Sequence, residues 1–150
     1  MIKIINIGKI KRRSLNNEID FYLKRIRNYT KIERISISES KHKEETKISK
    51  DETERLLNYI KDRDYSICLD KKGKQLDSVQ FAKKIDKIIV HSKVPTFIIG
   101  GAFGISEKLL TKFDFVLSFS NLTYQHDIAL IVLLEQIYRS FTIIKNHPYH

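Results

Sequence analysis

Five short apolar runs punctuate the chain, at residues 2–7, 32–37, 65–69, 96–99 and 115–119. Each is strand-length and rich in Ile, Val, Phe or Tyr, which predicts β-strands. Helical spacing fills the gaps between them. Leu15, Ile19, Tyr22, Leu23 and Ile26 share one helical face, with Ser14 in position to cap it. Ser49 and Glu52 have capping-box spacing ahead of Leu56, Leu57 and Ile60. Val79, Ala82, Ile85 and Ile89 form a third face after Ser78, and Ser106 stands before a short helix ending at Leu110. A long apolar helix follows from about Asp127 to Ile144. The predicted order is βαβαβαβαβα, an α/β fold with a mainly parallel sheet flanked by helices. No repeat or linker interrupts it, so residues 1–150 read as one domain.

In such sheets ligands bind beyond the carboxyl ends of the strands. Three strand ends therefore matter. The third strand leads into Leu69-Asp70-Lys71-Lys72-Gly73-Lys74, where Gly73 reads as a turn residue. The fourth leads into Gly100-Gly101-Ala102-Phe103-Gly104-Ile105-Ser106, whose glycines permit close backbone approach or positive φ. That run is neither the dinucleotide fingerprint nor a P-loop. The fifth leads into Ser118-Phe119-Ser120-Asn121-Leu122-Thr123-Tyr124-Gln125-His126, a polar loop between two apolar elements. His126 falls just before the last helix, where free N–H groups favour a neutral imidazole or a bound anion. Within that helix Glu135 and Arg139 have ion-pair spacing. The chain ends Asn146-His147-Pro148-Tyr149-His150, a frayed terminus or a group able to stack on a nucleobase.

Charge adds a partner. The 150 residues carry 28 Lys and Arg against 18 Asp and Glu, a net +10. A polyanion follows, with nucleic acid ahead of an anionic membrane surface. Lys11, Arg12, Arg13, Lys24, Arg25 and Arg27 are candidate contacts, or a solvated surface. The single cysteine, Cys68, excludes an internal disulfide framework, and the histidines lack metal-ligand spacing. No segment has the apolar length of a membrane span, and the opening residues do not read as a signal peptide. A soluble cytoplasmic protein is expected.

The stretches Ile98-Ile99-Gly100-Gly101 with Gly104, Leu117-Ser118-Phe119-Ser120, Leu122-Thr123 with His126, Glu135-Gln136-Ile137-Tyr138-Arg139 and the terminal Pro148-Tyr149-His150 together resemble the RlmH family. The opening Ile4-Ile5-Asn6-Ile7-Gly8-Lys9, the helix from Tyr22 to Tyr29 and the Leu69 to Lys74 strand end fit the same pattern, so the resemblance spans essentially the whole chain. These are SPOUT-class methyltransferases acting on large-subunit ribosomal RNA. The resemblance implies a SPOUT fold with a deep C-terminal trefoil knot, a homodimer whose active site forms across two subunits, and S-adenosylmethionine as cofactor. It implies methylation of N3 of pseudouridine 1915 in helix 69 of 23S rRNA, on assembled ribosomes, with no DNA and no membrane as partner.

Carried over position by position, the cofactor would touch Leu69, Gly101, Ser120, Asn121, Leu122, Thr123, Tyr124 and Gln125, with Gly100 and Gly104 shaping the loop. His126, Arg139, Tyr149 and His150 would face the RNA base. Either His126 or His150 would take the N3 proton, Arg139 would stabilise the oxyanion and Tyr149 would stack. Two positions depart from the family pattern. Gln125 replaces a proline, and Leu130 replaces an arginine one turn after the histidine, removing an expected RNA or phosphate contact. A SPOUT enzyme with another RNA target, or a silent ribosome-binding module, are the alternatives.

Overall fold

The computed structural model describes residues 1–149. The elements run β1 (Ile2–Ile7), α1 (Arg13–Ile26), β2 (Ile32–Ile37), α2 (Glu45–Asn58), β3 (Asp64–Gln75), α3 (Ser78–Val90), β4 (Val94–Ile99), a 3₁₀ helix (Glu107–Lys112), β5 (Phe115–Ser118) and α4 (His126–Ile144). The five strands form one parallel sheet in the order β2-β1-β4-β3-β5.

Strand alternation sorts the apolar side chains between two layers. On one face Ile2 and Ile4 of β1 and Phe97 and Ile99 of β4 pack with α1, α3 and α4. On the other, Ile5 and Ile7 of β1 and Ile98 of β4 pack with Leu56 of α2 and with Ile105 and Phe113. Burial on both faces explains the near-continuous apolar strands. One ion pair is buried among them. Lys3 of β1, 4% exposed, pairs with Asp64 at the start of β3, with Nζ 2.9 and 2.7 Å from the two carboxylate oxygens.

Several local expectations are corrected. Ser14 lies inside α1, whose N-cap is Arg12. Instead, Asn16 Nδ2 reaches back to the Ile10 carbonyl at 2.8 Å and ties down the entering chain. Helix α2 begins at Glu45, so Ser49 and Glu52 are interior to it and engage in tertiary contacts rather than capping. Asp77 caps α3, in a reciprocal capping box with Gln80. Strand β3 does not end at Leu69. It bulges after Leu69, re-enters the ladder at Lys74 and pairs with β5 again. Gly73 is part of that strand, lying so close to the Val116 and Leu117 backbone that no Cβ fits.

Candidate active site

Strands β4, β3 and β5 are consecutive in the sheet, so their carboxyl ends open into one another. The loops beyond them enclose a cavity of about 420 Å³, within the range of small-molecule sites. Its floor is apolar, from Leu69, Ile99, Leu117 and Ala129.

One wall is the glycine loop after β4. Gly104 N–H donates to the Gly101 carbonyl at 3.0 Å, closing a tight turn, and Gly104 adopts φ +71°. Gly101 backs onto Glu52 of α2: a Cβ there would stand 2.5 Å from Glu52 Oε2. Glu52 is 2% exposed, and its Oε1 accepts from Ser40 N–H at 2.9 Å. Ser49 completes the buttress, donating its hydroxyl to the Gly104 carbonyl at 3.3 Å. The loop is thus carried on α2, the helix whose polar residues read as a cap.

The opposite wall is the loop before α4, organised by Ser120. Its hydroxyl accepts from Leu122 N–H at 3.0 Å and lies 3.2 Å from the Tyr124 hydroxyl, while Ser118 donates to the Ser120 carbonyl at 2.9 Å. Leu122 is 70% exposed at the rim.

Of the ten expected cofactor residues, Leu69, Gly100, Gly101, Gly104, Ser120, Leu122, Thr123 and Tyr124 line this cavity. Asn121 and Gln125 do not. Asn121 Oδ1 instead accepts from Gln75 at 3.2 Å, and Gln125 is the exposed N-cap residue of α4. His126 also lines the cavity, with Nε2 2.6 Å from Asp127 Oδ1. Four charged lining residues were not among the expected site residues: Asp70, Lys71, Lys72 and Glu107. Lys72 Nζ meets Glu107 at 2.8 Å across the mouth, and this hydrogen bond holds the Glu107 carboxyl below its ordinary range. Only the position of Asp70 and Lys72 at a strand end hinted at them.

Arg139 and Tyr149 lie elsewhere. Glu135 Oε1 accepts from Arg139 Nε at 3.0 Å and from the Tyr149 hydroxyl at 3.2 Å, folding the tail back onto α4. The Arg139 guanidinium stands 5.0 Å from the Tyr149 ring centroid, and Tyr138 packs against Tyr149 at 4.9 Å. Burial, followed by the neighbouring Tyr149 and Glu135, raises the Tyr22 phenol above its ordinary pKa. Arg25 is packed between the rings of Phe21 and Tyr138. The other expected contacts, Lys11, Arg12, Arg13, Lys24 and Arg27, are exposed. His150 lies outside the described residues.

Helix geometry separates the two groups. Glu135 is nine residues beyond His126, about 14 Å along the axis and half a turn around it. Within one chain the cavity and the Arg139–Tyr149 cluster face different ways. Between them, Ile128, Ile131 and Val132 form a half-buried apolar stripe that runs on to Glu135 and Arg139. Leu130 is on the inward side, 1% exposed in the core with Ile4 and Ile10. Position 130 therefore faces the interior, and the expected RNA contact would not arise from it.

A parallel α/β sheet with a glycine-walled cavity at three adjacent strand ends, beside the first turn of a long final helix, has its cavity where open α/β proteins bind their ligands. Comparison with known proteins narrows the class. A family model described as "Predicted SPOUT methyltransferase" matches residues 1–150, and the chain belongs to that family of methyltransferases. Among its relatives are the ribosomal RNA large subunit methyltransferases H of Malacoplasma penetrans (41% identical), Clostridium beijerinckii (41%) and Enterococcus faecalis (38%). Each alignment covers 99% of this chain and 98% of the relative.

The cavity fits the cofactor of this class. Gly100 and Gly101 line one side with backbone, Leu69 and Leu117 supply an apolar slot, and Asp70, Ser120 and Thr123 offer polar groups for hydroxyls or an amine. Among the described residues no helix is long and apolar enough to cross a membrane.

Proposed function

We propose that this protein is an S-adenosylmethionine-dependent methyltransferase of 23S rRNA, acting as a cytoplasmic homodimer on assembled ribosomes and methylating N3 of pseudouridine 1915 in helix 69. The names of its relatives support the RNA substrate. The observation that supports a site shared between two subunits is the half-turn, roughly 14 Å offset between the cavity at His126 and the Glu135–Arg139–Tyr149 cluster. Residues expected to serve one nucleotide point apart within a chain. Pairing two chains along the Ile128, Ile131 and Val132 stripe brings one subunit's cavity to the other's cluster. The cavity loops belong to the segment in which the family's knot is expected.

In this reading Leu69, Gly100, Gly101 and Gly104 hold the cofactor, together with Ser120, Leu122, Thr123 and Tyr124. When bound, the cofactor supplies an electrophilic methyl sulfonium. The protein's task is alignment and a nucleophilic N3. His126 or His150 accepts the N3 proton as the new N–C bond forms and the C–S bond breaks. Arg139 stabilises the negative charge on the uracil oxygens, oriented by Glu135. Tyr149 stacks on the base, its ring fixed by Tyr138. A net +10 on each chain supplies salt-sensitive attraction to the RNA.

The test is transfer of labelled methyl to ribosomes lacking this modification, with free 23S rRNA in parallel and the product mapped to its nucleotide. Label on the helix 69 pseudouridine, with ribosomes preferred, is the expected result. Cofactor binding with label elsewhere assigns another RNA target. Neither binding nor label makes the protein a ribosome-binding module.

A further inference from the structure

Where α1 crosses α4, rings and guanidinium groups follow one another in continuous contact. Phe21 and Arg25 are one turn apart on α1, so their side chains meet. The Arg25 guanidinium carbon lies 4.3 Å from the Phe21 ring centroid and 5.4 Å from that of Tyr138 on α4. Tyr138 in turn packs on Tyr149 at 4.9 Å, and the Arg139 guanidinium stands 5.0 Å from the Tyr149 ring. One ring, Tyr138, therefore separates Arg25 from the tail.

The two arginines spend their donors differently. Arg139 gives Nε and Nη2 to Glu135 Oε1. Arg25 makes a single long contact, from Nη1 to the Tyr138 hydroxyl at 3.5 Å. Among the described residues no carboxylate stands within ion-pair distance of it. Rings against a guanidinium fix its plane and take none of its N–H groups. Arg25 is half-buried, so the edge that carries those donors is within reach of a ligand. Its place in the last turn of α1 accounts for a positive charge, which suits a helix C-terminus. It does not account for a planar fork, since a lysine would serve the dipole equally well.

We infer that Arg25 binds a backbone phosphate of the RNA, beside the base that Tyr149 stacks on, and that Phe21 is the positioning residue for its guanidinium. A fixed fork with free donors matches two oxygens of one anion. A net +10 chain and a stacking ring one residue away favour a phosphodiester over a protein carboxylate. The ligand's identity as RNA rests on the substrate proposed above; the unspent donors of Arg25 do not.

Arg25→Gln and Arg25→Lys are compared with wild type and with Lys83→Gln, which removes the same charge from an exposed site on α3. Each is checked for cooperative melting and for oligomeric mass. Sedimentation binding to ribosomes lacking the modification, across a salt series, needs no turnover. In Arg25→Gln the Kd at low salt should rise roughly ten-fold, and the slope of log Kd against log salt should fall by about one. Lys83→Gln should change the Kd by less than about two-fold. Under saturating ribosomes, kcat of Arg25→Gln should stay within about three-fold of wild type, and affinity for S-adenosylmethionine within about two-fold.

A folded Arg25→Gln protein with wild-type Kd and salt slope overturns the inference. So does a loss confined to kcat with the slope unchanged, which would mean that Arg25 only props Tyr138 against the tail. A fall in oligomeric mass also overturns it, by making the anion a carboxylate of another subunit. Should Arg25→Gln not fold, Arg25→Lys decides: it keeps the charge, loses the fork, and should bind ribosomes about three-fold more weakly, whereas wild-type affinity overturns the inference. If wild type binds ribosomes but transfers no methyl, the proposed function fails while the salt slope still decides the role of Arg25. Wild type that binds neither ribosomes nor free 23S rRNA overturns both.

Discussion

The hydroxyl of Tyr149 donates to Glu135 Oε1 at 3.2 Å, the oxygen that also accepts from Arg139. A tail that would otherwise hang from the end of α4 is held against its middle, and one carboxylate orients both groups.

Removing that carboxylate should separate binding from chemistry. Glu135→Ala frees Tyr149 and leaves Arg139 without its partner, while the cavity near His126 is untouched. Methyl transfer to ribosomes is expected to fall roughly hundred-fold. Calorimetric affinity for S-adenosylmethionine should remain within about two-fold. Tyr149→Phe keeps the ring over Arg139 and should lose much less. An equal loss of cofactor affinity in Glu135→Ala would show that the tail shapes the cavity instead.

The glycine loop should tolerate alanine unequally. At Gly101 a methyl would meet Glu52 Oε2 at 2.5 Å, with Ile7 behind it, so Gly101→Ala must displace a buried carboxylate. A cost of about 1–3 kcal/mol in denaturant melts is expected, with at least tenfold weaker cofactor binding. Gly104 has nothing within 4 Å of its Cβ position and is constrained only by φ +71°. Gly104→Ala should cost about 1–2 kcal/mol through backbone strain. Its cofactor affinity should fall less than that of Gly101→Ala.

Acid should open the mouth of the cavity. Lys72 depresses the folded-state pKa of Glu107, so the bridge is fully formed above the ordinary carboxylate value of 4.5. It is lost as pH falls through the lower folded value. A ¹³C titration of the Glu107 carboxyl should place its midpoint below 4.5 in wild type and near it in Lys72→Met. Both groups are largely exposed, so high salt should erase the difference, and stability should scarcely change.

Cys68 should be chemically silent in the native protein. Burial raises its thiol far above the ordinary value, leaving almost no thiolate at neutral pH. Alkylation by iodoacetamide at pH 8 should proceed only at the rate of unfolding, and become immediate in denaturant. Rapid labelling without denaturant would mean that the layer under α2 opens readily.

Much of the architecture was legible because burial on both faces of a parallel sheet leaves uninterrupted apolar runs. Strands β1, β4 and β5 showed in that way, and the edge strand β2 showed through Ile32, Ile35 and Ile37 set among polar residues. The second half of β3 did not, since Asp70, Lys71 and Lys72 lie in a bulge and Lys74 and Gln75 re-enter the ladder through backbone groups that charge patterning does not report. The placing of β4 between β1 and β3 is also absent from periodicity, which marks elements but not their neighbours. Ser49 and Glu52 misled for a different reason. A capping pattern and a pair of polar side chains sent to support a loop are the same letters. The glycine wall was readable from composition alone. Asp70 and Glu107 were not, because a single charge beside an apolar slot has no pattern. The offset between His126 and Glu135 lay in the residue count all along, once both were known to share one helix.

Helix α4 therefore acts as a gauge bar with one working group at its start and another from its middle onward. Point changes can tune either end independently, and a new RNA contact could be built around Tyr149 without disturbing Gly101. Changing the bar's length is another matter. Deleting one residue between Ile131 and Leu134 would turn everything beyond it by about 100° and draw it back about 1.5 Å. That would take Tyr138 and Phe141 out of the core together with Arg139. Substitution is open to this helix, whereas insertion and deletion are closed.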